Sequence, residues 1–117
     1  MDILEEIIEK LKDNGKTLDD IKCLTIRRCE PTFVEEDGNI QEYQIPIDAP
    51  EELISSVLHD MSQCYYDSGY GGQELFGIIW LKGKDWLERE EYDGSEWWTY
   101  KTRPTIPDFL QISEADL

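Results

Sequence analysis

Apolar positions along the first twelve residues recur at helical spacing. Ile3, Leu4, Ile7, Ile8 and Leu11 fall on one face, and charged residues fill the other. Asp2 followed by Glu5 has the form of a capping box, and Asn14-Gly15 supplies a stop. Thr17 then reads as the N-cap of a single short turn, Leu18 to Ile21. From Cys23 to Cys29 the period changes to two, with Leu24, Ile26 and Arg28 on one side of a strand. Glu36-Asp37-Gly38-Asn39 is a turn, and the return strand runs Ile40 to Ile47 with Tyr43, Ile45 and Ile47 on one face. Pro31 and Pro46 each remove a ladder donor, which places this hairpin toward a sheet edge.

Helical spacing returns after Asp48. Asp48 as N-cap, Pro50 in the first turn and Glu51 at N3 agree with one another. Leu53, Ile54, Val57, Leu58 and Met61 form the expected buried stripe, which Cys64 can join. Three tyrosines and three glycines make Tyr65 to Gly72 a loop. Leu75 to Leu81 is almost continuously apolar, so it is expected to be a central strand covered on both faces. Trp86 to Glu91 and Trp97 to Lys101 follow as strands joined by a turn at Asp93-Gly94. The order is α-β-β-α-β-β-β. This predicts an α+β fold, with two amphipathic helices packed on a mainly antiparallel sheet of about five strands. Residues 1–117 read as one domain. Residues 104–117 read as an extended C-terminal tail whose Ile106, Phe109 and Leu110 dock onto the body.

Charge changes the picture. The chain sums to −16, and between Cys29 and Leu81 it has no lysine and no arginine. Eleven acids lie in that stretch, so it supplies −11 and the rest only −5. Surfaces ordinarily mix both signs, because like charges at close range destabilise the compact state. The stretch therefore reads either as a surface that meets something basic or as a solvated acidic face. Such a chain is not expected to bind nucleic acid directly, since phosphate contacts require lysine and arginine. The expected partner is a basic protein, a nuclease or another nucleic-acid-binding protein, met through Glu30, Glu35, Glu36, Asp37, Glu42, Asp48, Glu51 and Glu52. Trp97 and Trp98 are adjacent on a strand and point to opposite faces. Trp98 is assigned to the partner surface with the acids, because tryptophan is enriched at interface hot spots.

Candidate chemistry adds little. His59 is the single histidine, and Cys64 lies five residues beyond it, off the spacing that shares a helix face. No metal site, cofactor or catalytic residue is expected. Gly69-Tyr70-Gly71-Gly72 follows a helix rather than a strand and lacks the lysine of a phosphate loop. Glu88, Glu90, Glu91, Asp93 and Glu96 cluster on one hairpin beside aromatic residues, which leaves a small hydrolase as a weaker alternative. Three cysteines without framework spacing, an acidic N-terminus and no long apolar run predict a cytoplasmic, reduced protein with no membrane association.

The segment Glu74 to Pro107 carries a Gly-Ile-Ile-Trp strand, then Trp86-Leu87-Glu88-Arg89, then Glu91-Tyr92-Asp93-Gly94-Ser95-Glu96-Trp97-Trp98. It resembles a segment of small uncharacterised proteins from bacteriophages and mobile elements. The resemblance implies the company of phage accessory proteins, among which acidic inhibitors of host defence are common. Small acidic anti-CRISPR and anti-restriction proteins that imitate DNA are similar in size and charge. The functional expectation is a non-enzymatic inhibitor of this kind. The alternative is an immunity protein that neutralises a basic nuclease toxin, and a weaker one, beside the small hydrolase, is an accessory protein of no discrete activity.

Overall fold

A computed structural model describes residues 2–29, 40–64, 75–92 and 95–103. Helix α1 spans Ile3–Asp13 and buries Ile3, Ile7 and Leu11. Its first turn is closed by Asp2, whose carboxylate accepts from the Glu5 backbone N–H at 2.8 Å. Asn14 caps its end, and Gly15 then takes a positive φ of 71°. Thr17 and Asp20 form a reciprocal capping box around a short 3₁₀ turn, Leu18–Asp20.

The strands are β1 (Ile21–Cys29), β2 (Ile40–Ile45), β3 (Leu75–Leu81), β4 (Asp85–Tyr92) and β5 (Ser95–Thr102). Helix α2, Glu51–Ser62, lies between β2 and β3 in the chain. The sheet order is β2-β1-β3-β4-β5, and every neighbouring pair is antiparallel. The fold is α+β with the element order α-β-β-α-β-β-β. Strand β2 stops at Ile45 because Pro46 cannot donate to a ladder, and Ile47 beyond it is exposed.

Register decides which side chains face the helices. Ile45, Leu24, Ile79, Leu87 and Tyr100 form one row across all five strands. Leu24, Ile45, Ile79 and Leu87 in that row are buried, as are Tyr43, Ile26, Leu75, Leu81 and Trp98 on the same face. They join Ile3, Ile7, Leu11, Met61 and Cys64 in one core. Gly77 sits where β3 crosses β1. A methyl group there would overlap the Thr25 carbonyl oxygen and lie 2.9 Å from the Ile26 Cα, so only glycine fits.

The core also encloses charge. The Arg89 and Glu96 side chains have no solvent exposure, and Arg89 reaches Glu6 on α1 at 2.7 Å. Burial pushes the Glu6 carboxyl above its ordinary value, and the Arg89 guanidinium only partly offsets this. Arg89 also stacks on Trp98, 5.2 Å from the ring centroid.

Three expectations change. Strand β3 is buried on one face only, since Trp80 on the other is 40% exposed and Phe76 and Ile78 are half-buried. Helix α2 begins at Glu51 with Pro50 at the N-cap, making Glu51 the first helical residue rather than N3. Asp48 instead occupies a left-handed turn with φ of 59°, which aspartate tolerates better than most side chains. Leu53 is exposed, because α2 lies over the edge strand and its first half stands off the sheet. Ile45, Ile54 and Leu58 line a cavity of about 430 Å³ there. Only Met61 and Cys64, at the far end, are deeply buried.

Candidate partner surface

The structure places four of the acidic candidates. Glu42 lies on the edge strand β2, opposite Arg27 in register and exposed. Asp48, Glu51 and Glu52 are exposed at the turn into α2 and in its first helical turn. Carboxylates there are favoured by the positive end of the helix dipole. Asp48 and Glu51 also line the mouth of the 430 Å³ cavity with Asp19, Lys22 and Lys82. Glu42 belongs to a separate open depression with Asp60, where α2 ends against β2. The acids are therefore grouped at the two ends of α2 rather than in one patch. Glu30, Glu35, Glu36 and Asp37 lie outside the described residues, as do the 69–72 loop, both Asp-Gly turns and the 104–117 segment.

Among the described residues, Arg89 pairs with Glu6 and Glu96, and Lys101 pairs with Glu88 and Glu90. Each of these carboxylates lies outside the basic-free stretch.

Trp98 requires a correction. It is only 2% exposed and belongs to the core, so it does not lie on a partner surface. Its neighbour Trp97 is the exposed one, and its indole N–H donates to the Thr99 hydroxyl at 3.0 Å. Strand parity put the two rings on opposite faces, and the Arg89–Glu96 pair drew the Trp98 face inward.

The face of the sheet opposite the helices carries residues the charge pattern does not single out. Cys23, Trp80, Trp86 and Lys101 form one row across four strands. Phe76 and Trp97 lie toward the other end, and Arg27 stacks on Phe76 at 5.3 Å from the ring centroid. The apolar run of β3 signalled Phe76, Ile78 and Trp80, but it did not reveal that, among the described residues, only the opposite face carries helices.

Lys101 bridges Glu88 and Glu90 at 2.7 and 2.8 Å. Hydrogen bonds from Lys101 and Thr99 hold the Glu90 carboxyl below its ordinary value, the reverse of what a general acid needs. The Cys64 thiol points to Gln41, at 3.7 Å, and Cys23 and Cys64 are both free. Among the described residues no cluster of three or more His, Cys, Asp or Glu side chains could hold a metal ion. No helix among them is long and apolar enough to cross a membrane. No protein-family model, curated protein or solved structure matches the chain.

Proposed function

We propose that this protein is a non-enzymatic inhibitor that occupies a basic nucleic-acid-binding surface on a nuclease of host defence, such as a CRISPR effector or a restriction enzyme. One observation carries the reading. Glu42, Asp48, Glu51 and Glu52 are all exposed, and none forms an ion pair with a described residue. Carboxylates held in solvent and not tied into ion pairs keep more of their field, and that field steers a basic partner. Duplex DNA presents one charge per ~1.7 Å of axis, so a substitute needs many carboxylates rather than one pair. The lack of lysine and arginine from Glu30 to Trp80 fits this need.

The test is DNA cleavage by a CRISPR effector and by a restriction endonuclease, each titrated with the protein. Inhibition that competes with DNA and fades as salt rises is expected for at least one of them. Changing Asp48, Glu51 and Glu52 together to lysine should abolish it while leaving the fold intact, whereas single changes should each have little effect. Loss of all activity in Glu88→Gln or His59→Ala, with the triple reversal silent, would sink the reading in favour of a localised site.

A further inference from the structure

We propose that the face of the sheet opposite α1 and α2 is a docking surface for a second copy of this chain, packed as two sheets face to face around a twofold axis perpendicular to the strands. This surface is separate from the acidic candidates at the start of α2.

Apolar exposure marks the face. Trp80 and Trp97 are each 40% exposed, with Phe76, Ile78 and Trp86 half-buried between and beside them. Exposed aromatics in a contiguous group signal association rather than chance.

Charge selects the occupant. On a chain of net −16, the described bases Lys22, Arg27, Lys101 and Arg103 equal in number the described carboxylates Glu42, Asp85, Glu88 and Glu90 on and around this face. Two like-charged copies can meet there without the repulsion that the rest of the surface would impose. A basic partner, by contrast, gains nothing from a balanced face.

The balance is also polarised along the strands. Lys22 and Arg103 lie at the end that holds Trp80 and Trp86. Glu42 lies at the Phe76 end opposite Arg27, and Glu90 pairs with Trp97 in register, so this end holds two acids to one base. An axis perpendicular to the strands reverses strand direction but keeps strand order. It sets β3 over β3, brings the Trp80–Trp86 row onto the partner copy's Phe76 and Trp97, and aims each basic end at the partner copy's acidic end. Stacked sheets lie ~10 Å apart, which two layers of aromatic side chains fill.

The available area is sufficient. Five strands at ~4.8 Å spacing, with about seven residues of ~3.3 Å each, give roughly 550 Å² per copy. Two copies would bury roughly 1,100 Å², just above the ~1,000 Å² that a specific interface requires.

Sedimentation of the full chain from micromolar to submillimolar concentration tests this, with a species of twice 13.7 kDa expected. Trp80→Ser should weaken the dimer about tenfold or more. Leu53→Ser, an exposed apolar position on the helix layer, should leave it unchanged. The axis is tested by charge exchange. The pair Lys22→Glu/Arg103→Glu and the pair Glu42→Lys/Glu90→Lys should each dimerise weakly alone and recover a dimer when mixed. Failure of the mixture to recover would overturn the arrangement. A dimer sensitive to Leu53→Ser and indifferent to Trp80→Ser would move the interface elsewhere. A full chain that stays monomeric would overturn the proposal. In that monomer a fluorotryptophan at position 80 would report by ¹⁹F NMR whether the chain itself shields the face.

Discussion

Arg89 and Glu96 form an ion pair in which the guanidinium donates through Nε at 3.0 Å and Nη2 at 2.8 Å to one carboxylate oxygen, with both side chains fully buried. The same oxygen accepts the Leu75 backbone N–H at 3.0 Å, so the pair locks β4 to β5 and fixes the start of β3. Removing Arg89 strips the buried Glu96 of its guanidinium and removing Glu96 leaves Arg89 only Glu6, whereas replacing both removes the two buried charges at the cost of the Glu6 contact. Glu96→Gln and Arg89→Met should each lower stability by about 3–5 kcal/mol. The double variant Arg89→Met/Glu96→Leu should recover much of that loss. Urea denaturation of the three variants measures the difference.

Trp98 and Trp97 should respond oppositely to truncation. Trp98→Ala empties a core position and should cost about 3–5 kcal/mol. Trp97→Ala removes a side chain from the outer face and should cost less than about 1 kcal/mol. Thermal unfolding of dilute protein, where any self-association is absent, separates the two.

Gly77 admits no side chain. Gly77→Ala should destabilise the protein by about 3 kcal/mol through overlap with the β1 backbone. Gly83→Ala places its methyl group in open space and is strained only by its φ of 89°. It should cost about 1 kcal/mol. Denaturant midpoints of the two variants give the comparison.

Tyr100 and Asp85 make alkaline and acidic pH act differently on one contact. Burial, with the hydrogen bond donated to Asp85, pushes the Tyr100 phenol up to about 12. An acid whose pKa is raised on folding contributes stability that is full below its unfolded value. That contribution falls as pH rises through its folded value. Stability should therefore decline from the ordinary tyrosine pKa of about 10 up to about 12. Asp85 moves the other way, because hydrogen bonds from Tyr100 and Thr102 hold its carboxyl below the ordinary value. Its contribution is present above the ordinary carboxylate pKa and is lost as pH falls through the lowered one. Absorbance titration of the phenol in the native protein and in Tyr100→Phe checks the first half. An NMR titration of the Asp85 carboxyl, which should rise toward its ordinary value in Tyr100→Phe, checks the second.

Much of this architecture could be read from the sequence where local and global preferences agree. The α1 stripe, the Gly15 stop and the edge position of β2 each rest on a residue whose conformational limits act alone. The inward face of β4 and β5 was harder to read. Both faces of those strands mix aromatics with charge, and the buried face owes its polarity to Arg89 and Glu96, residues that usually mark the outside. The same inversion hid Trp98. Asp48 could cap a helix or turn left-handed, and the residues around it are compatible with both. Of the acidic candidates, charge counting found exposed residues but could not divide them between the two ends of α2.

The sheet order has a consequence for how the chain reaches this state. Strands β3, β4 and β5 pair in succession, and so do β1 and β2, so each group needs only nearby partners. The seam between β1 and β3 joins residues as distant as Ile21 and Leu81, with all of α2 between them. Closing it carries most of the loop entropy of folding, because the chain must be ordered over that span before the contacts repay it. The protein is thus two locally assembled ribbons sutured along one line. Gly77, which allows the two backbones to approach, sits on that suture.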